Sequence, residues 1–207
     1  MSTKLKSITQ NSALLVMDFQ KSILNNYIPH EHLTPIIQRT ASLISSARTA
    51  GVKVIYICVG FRKGYPEVGK NSLFKSIKYG GQFLIDSSDS AIHDELAPEE
   101  DEPVVIKCRV GAFSFTELEL ILRSYNIDTL ILTGITTSGV ILSTARQAFD
   151  LDYRLIIAKD CCADTDVDIN NYLLDKILSQ HADVVHASDI AEAWNLQTNY
   201  CLNSSTL

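Results

Sequence analysis

Thr129-Leu130-Ile131-Leu132-Thr133-Gly134-Ile135-Thr136-Thr137-Ser138-Gly139-Val140-Ile141-Leu142-Ser143-Thr144-Ala145-Arg146 joins two kinds of hydrophobic pattern. Its first five residues are apolar or β-branched and stop at Gly134. From Ser138 to Leu151 the pattern changes to helical spacing, with Ile141, Ala145, Ala148 and Phe149 on one face. A short continuous apolar run fits a strand covered on both faces, as in a parallel sheet. A strand that turns directly into a helix is the repeating element of a doubly wound α/β fold.

The same alternation extends in both directions. Further apolar runs are Ala13–Met17, Val52–Ile57, Val104–Ile106, Arg154–Ala158 and the short Asp183–Val185. Helical spacing marks Leu33–Ala50, with Gly51 as its stop, then Thr116–Tyr125 and Ile169–His181. The segment from Phe61 to Ser90 breaks this rhythm, with Gly60, Gly64, Gly69, Gly80, Gly81 and Pro66 in or beside it. It is expected to run over the sheet as an excursion of about residues 61–90. Its aromatics Phe61, Tyr65, Phe74, Tyr79 and Phe83 suit a lid or a contact between subunits. Residues 1–207 are expected to form one domain, with a frayed tail over about 196–207.

Composition narrows the function. The chain has 207 residues, 46% hydrophobic and 20% charged, ordinary for a globular protein. Acidic residues number 24 against 18 basic, a net charge of −6, which disfavours a nucleic-acid or anionic-membrane partner. No apolar run approaches the roughly 20 residues a membrane helix needs. The polar start MSTKLKSITQ lacks the apolar stretch of a signal peptide, so a cytoplasmic location is expected. The five cysteines fall in no CxxC pair and read as reduced thiols. The five histidines have no metal-ligand spacing, and neither metal nor cofactor is expected.

Ligands of open α/β sheets sit beyond the carboxyl ends of the strands. Three strand ends here carry candidate chemistry. Asp18 follows Val16-Met17, where partial burial suits proton transfer, although an Asp there also serves as a helix cap. Lys107 follows Val104-Val105-Ile106, a place for a buried ammonium or for a snorkelling surface Lys. The Gly134–Val140 turn presents backbone N–H groups at a helix start, suited to an oxyanion.

Asp18 with Gln20, Lys107 ahead of Ala112-Phe113 and Thr116, and Gly134 to Thr144-Ala145-Arg146 together resemble the isochorismatase-like hydrolase superfamily. The likeness runs from about Leu14 to Trp194 and includes Asp160-Cys161-Cys162-Ala163. It implies a three-layer α-β-α fold around a six-stranded parallel doubly wound sheet, a small-molecule substrate and a homo-oligomer, dimer or tetramer. Most members resemble cysteine hydrolases with an Asp, Lys, Cys triad, of which Asp18 and Lys107 match the first two. The resemblance places the nucleophile six residues after the loop glycine, and here that residue is Val140. An optional metal site after the second strand is matched by Cys58-Val59-Gly60-Phe61-Arg62, which has no ligand pair.

Valine has no nucleophilic atom. Isochorismatases proper also work without the thiol, protonating a vinyl ether, which makes Asp18 the expected general acid or base and Lys107 its electrostatic partner. Their loop differs, however, so the substrate does not carry over. Gln20, Phe113, Thr136, Thr137, Ser138 and Gly139 are expected around the substrate and its oxyanion. Alternatives are a catalytically silent binding or assembly protein and a substituted nucleophile. Candidates for the latter are Cys58 or another thiol, or a hydroxyl of Thr136, Thr137 or Ser138.

Overall fold

The computed structural model describes residue 5 and residues 8–204, with side chains to Leu196. Six strands follow the apolar runs: β1 (Ser12–Met17), β2 (Lys53–Val59), β3 (Val104–Lys107), β4 (Thr129–Ile135), β5 (Arg154–Ala163) and β6 (Asp183–Val185). They form one parallel sheet in the order β3-β2-β1-β4-β5-β6. The order reverses between β1 and β4, so the crevice of the doubly wound fold opens beside Met17 and Gly134, which pair across that seam.

Strand alternation divides the core. Leu14 and Val16 face a layer made by α1 (Lys21–Tyr27), α2 (His30–Thr49) and α7 (Ala187–Ser204). Ala13, Leu15 and Met17 face α4 (Leu118–Ser124), α5 (Leu142–Asp150) and the turns that follow α6 (Val167–Tyr172). The expected three-layer α-β-α arrangement is therefore the one present. No helix among the described residues is long and apolar enough to cross a membrane.

The excursion after β2 carries its own helix, α3 (Ser72–Tyr79). Four of its five aromatics turn inward. Phe61, Tyr65, Phe74 and Phe83 are buried in the first core layer, with Phe61 stacked against both Tyr65 and Phe74. Only Tyr79 of the five points outward, 88% exposed. The aromatic patch on which a lid or subunit contact was expected is thus internal packing, and that ground for assembly falls away. At the other end, α7 continues to Ser204 through the stretch expected to fray, and residues 205–207 lie outside the described part.

Gly134 has no room for a side chain. A Cβ there would lie 2.9 Å from the Met17 carbonyl oxygen and 3.0 Å from Met17 Cβ. Two strands meet at this point, so backbone and not a flexible side chain must yield. Gly134→Ala is expected to destabilise the protein by about 1–3 kcal/mol, read as a lower denaturation midpoint in urea. An unchanged midpoint would show that the β1–β4 seam is looser than this packing.

Candidate active site

Asp18 and Lys107 meet. Lys107 Nζ lies 2.8 Å from Asp18 Oδ2, and their side chains are only 3% and 6% exposed respectively. The approach follows from the sheet order, because β2 separates β1 from β3 and pairs with both. Asp18 leaves β1 in the left-handed region, φ 60°, which Asp tolerates better than most residues. Its own N–H donates to Ile57 O at 2.8 Å, anchoring the turn to β2. Lys107 Nζ donates a second hydrogen bond to Arg109 O at 3.1 Å.

The carboxyl is asymmetric. Asp18 Oδ2 faces the ammonium, whereas Oδ1 is buried with no hydrogen-bond partner. A buried carboxyl oxygen without a partner is costly unless it is protonated or meets a ligand or water. Burial pushes the Asp18 carboxyl above its ordinary value, against the charge and hydrogen bond of Lys107 and the nearby Val59 backbone N–H, which pull it down. The result is a carboxyl able to hold a proton, with one oxygen still unengaged.

The Gly134 loop begins beside this pair. After a cis Ile135–Thr136 peptide the chain makes one wide turn over Thr137–Ile141 and enters α5. Thr136 Oγ1 accepts from Gly139 N at 3.1 Å and so caps the turn. Thr137 is fully buried, and its hydroxyl donates to Asn170 Oδ1 at 2.6 Å and to Ala163 O at 3.3 Å. Ser138 is exposed, and its N–H donates to Asp164 Oδ2 at 2.6 Å. Val140 is buried in the second core layer. Two of the amides expected to face an oxyanion are therefore already engaged, that of Ser138 by Asp164 beyond β5 and that of Gly139 by Thr136 within the loop.

Two expected wall residues do other work. Gln20 is buried, and its Nε2 donates to Val59 O at 2.9 Å and Ser90 O at 2.7 Å, while its Oε1 accepts from Val59 N at 2.8 Å. Both of its donors are used, and it clamps the end of β2 to the excursion, which leaves it no free N–H to offer a substrate. Phe113 lies in the second core layer and packs against Tyr153, at the opposite, amino end of β5. Its place in the binding wall is corrected accordingly. Phe61, expected as a closure, is wholly buried.

The four cysteines among the residues with described side chains are all held toward the neutral thiol. Burial pushes the Cys58 thiol up to about 12, with the Asp18 charge adding to the effect. Cys161 is likewise pushed up to about 12 by burial, and Cys162 goes well above its ordinary value for the same reason. Cys108 is raised by burial and, secondly, by Glu67; its Sγ donates to Gly60 O at 3.1 Å at the edge of the first core layer, so it is only partly covered. A thiol held so far above neutral pH supplies almost no thiolate.

Residues that pattern reading passed over hold the site together. Asp164 is buried and receives the Ser138 and Thr165 N–H groups. Asn170 anchors Thr137, and Ser90 O receives Gln20. Asp164 sits one residue beyond the Asp160–Ala163 strand end, and that adjacency is the only local signal for it. Gln20→Leu would leave Val59 N–H, Val59 C=O and Ser90 C=O without their partner. A loss of about 2–4 kcal/mol of stability is expected, at about 1–3 kcal/mol per buried group with partial relief by water. Thermal unfolding checks it, and a loss below 1 kcal/mol would mean that the clamp is dispensable.

With this geometry established, comparison with known proteins places the chain. Residues 12–189 match the model of the isochorismatase domain. The chain is 29% identical over 185 residues to an uncharacterised isochorismatase family protein, YecD, of Escherichia coli O157:H7, covering 89% of this chain and 96% of that one. It is 32% identical over 171 residues to the ureidoacrylate amidohydrolase RutB of Serratia proteamaculans, covering 73% and 69%. Among solved structures, a cysteine hydrolase from Pseudomonas syringae superposes with a TM-score of 0.83 at 24% identity, over 94% of this chain and 99% of that one. N-carbamoylsarcosine amidase from Thermoplasma acidophilum has a TM-score of 0.70 at 24% identity, over 85% and 96%. At such identities the superpositions speak to the fold. The domain match spans most of the sequence, and the chain belongs to the isochorismatase family.

Proposed function

We propose that this protein is a hydrolase of small molecules in which Asp18 acts as general acid and base and no cysteine serves as nucleophile. The observation that carries this reading is the buried Asp18 carboxyl, held at Oδ2 by Lys107 and unengaged at Oδ1. In the proposed step the Oδ1 proton passes to the leaving nitrogen of an amide or ureide, or to the alkene carbon of a vinyl ether. A water molecule adds to the electrophilic carbon, and the C–N or C–O bond breaks. One proton of that water returns to Asp18, and in the vinyl ether its second proton passes to the departing oxygen as the C–O bond breaks. Lys107 fixes the carboxyl and limits its proton affinity, so that it can release the proton during the reaction.

Three further observations support the reading. The loop from Gly134 to Arg146 contains no cysteine, and the position where the family resemblance puts the nucleophile is Val140. The thiols nearest to a substitute role are pushed toward the unreactive neutral form, Cys58 beside the pair included. The Thr137 hydroxyl is engaged with Asn170 and Ala163 and is fully buried, a poor position from which to attack a substrate. Relatives named for ureidoacrylate and N-carbamoylsarcosine make C–N bonds of ureido compounds the first class to screen.

The test is a screen of ureides, amides and vinyl ethers with wild type and Asp18→Asn. A positioned acid contributes about 10²–10⁴-fold, so Asp18→Asn is expected to lower kcat by at least 100-fold. Turnover unaffected by Asp18→Asn would overturn the mechanism. No turnover of any class would favour the silent-binder alternative.

Acid catalysis by Asp18 also sets the pH dependence. The active form is protonated, so kcat/KM falls as pH rises through the raised carboxyl value. Lys107→Gln removes the charge that pulls this value down, and the falling limb is expected to move upward. A limb that stays in place would detach it from Asp18.

Alkylation gives an independent check. Treatment of the folded protein with iodoacetamide is expected to leave turnover within about twofold of the untreated rate, since the buried thiols are not thiolates. Loss of turnover that tracks labelling of Cys58 or Cys108 would assign the chemistry to a thiol.

A further inference from the structure

Beside the carboxyl end of β3 lies a cavity of about 490 Å³, lined by Arg62, Glu67, Ile106, Cys108, Arg109 and Phe115 among others. Asp18 and Lys107 are not in its lining, so it is separate from the proposed catalytic pair. Its size falls within the range of small-molecule sites.

The charges in this cavity are unevenly matched. Arg62 is paired with Glu67 at 2.6 Å. Arg109 is met by no carboxylate among the described residues. Its guanidinium donates to backbone carbonyls, to Cys108 O at 2.5 Å and to Glu67 O at 3.4 Å. The guanidinium carbon lies over two rings, 5.3 Å from the Phe74 centroid and 5.7 Å from that of Phe115. Phe115 is 94% exposed and holds a left-handed backbone, φ 62°. A bulky residue in that conformation, with its ring in water, is strained and solvated at once, an arrangement that collects at ligand sites.

We propose that this cavity is a second binding site, which takes a small planar carboxylate on the Arg109 guanidinium with its conjugated body against Phe115. Nη1 and one Nη2 hydrogen are engaged by the backbone, and the Nε–Nη2 edge of the guanidinium that remains matches a planar carboxylate. Glu67 and Glu117 also line the cavity, so a monoanion is favoured over a phosphate dianion. Glu67 Oε2 is buried without a partner and repels a carboxylate on its own side, which directs the anion toward Arg109. The backbone of Arg109 also receives the Lys107 hydrogen bond, so the two sites share one chain segment.

Benzoate is the probe, titrated into the full-length Asp18→Asn protein and followed by saturation-transfer NMR. This background does not depend on turnover, so failure here and failure of the hydrolase reading are distinguishable. Saturable binding is expected, with benzamide, which is neutral, at least 10-fold weaker. Adding Arg109→Gln is expected to weaken benzoate at least 10-fold, and Arg109→Lys to weaken it measurably because the flat fork is lost. Phe115→Ser, at a site exposed enough to leave the melting midpoint unchanged, is expected to weaken it severalfold. Equal binding to Arg109→Gln, or no saturable binding at tens of millimolar, overturns the proposal. So does binding that survives Arg109→Gln and disappears in Lys107→Gln, since the carboxylate then sits on the catalytic lysine.

Discussion

A carboxyl and an ammonium buried together at the ends of two strands constrain the rest of this protein. Withdrawing each ion from water costs several kcal/mol, and mutual attraction repays this only when the geometry is held tightly. Here it is held from several sides. Asp18 is tied to Ile57 through its own N–H, Lys107 is tied to Arg109 O, and both parent strands pair with β2. Leaving either charge alone in that setting costs about 3–5 kcal/mol, so the pair is costly to dismantle. Such an arrangement suits proton transfer better than it suits stability.

Around the pair, polar groups are used for positioning. Gln20 joins the end of β2 to Ser90, which fastens the long excursion over the first core layer. Thr137, Ser138 and Asp164 fasten the Gly134 loop to the end of β5, and Asn170 carries the connection into α6. Thr144 on α5 accepts from Ala112 N at 3.1 Å, which links the loop after β3 to the helix after β4. Each of these groups is paired inside the protein, in keeping with the high cost of a buried polar atom left alone. Asp18 Oδ1 is one of the buried oxygens without a partner, as is Ser90 Oγ beside the Gln20 clamp, and in the proposed reading it is the one that meets the substrate.

The wide turn at Thr137–Ile141 has a comparable logic. Ordinary α-helical spacing would continue α5 back to Ser138, as its apolar pattern suggests. Instead Thr136 closes the turn by accepting from Gly139 N, and a Cβ on Gly139 would come within 2.8 Å of that hydroxyl. The helix start is thereby set by a side-chain cap and a missing Cβ, features that hydrophobic periodicity does not register.

The order of the strands, the helices that follow β1, β3, β4 and β5 in their main stretches, the doubly wound class and the candidacy of Asp18 and Lys107 were legible in the sequence, whereas α1, α3 and α7 were not. Buried parallel strands must be apolar along their whole length, and a charged residue that ends such a run is conspicuous. The tertiary structure alone decided what the remaining polar and aromatic residues do. Gln20 lies in the motif that carries Asp18, yet its amide is engaged by backbone groups 39 and 70 residues away. Phe113 lies in the motif that carries Lys107, yet its ring packs against Tyr153. The segment that carries the excursion's aromatics lacks strand or helix rhythm, which suggests an external position, whereas four of the five, all but Tyr79, are buried in the first core layer. Composition and periodicity report whether a residue is to be buried; which partner buries it depends on chain crossings that bring distant segments together, and local pattern carries no record of them.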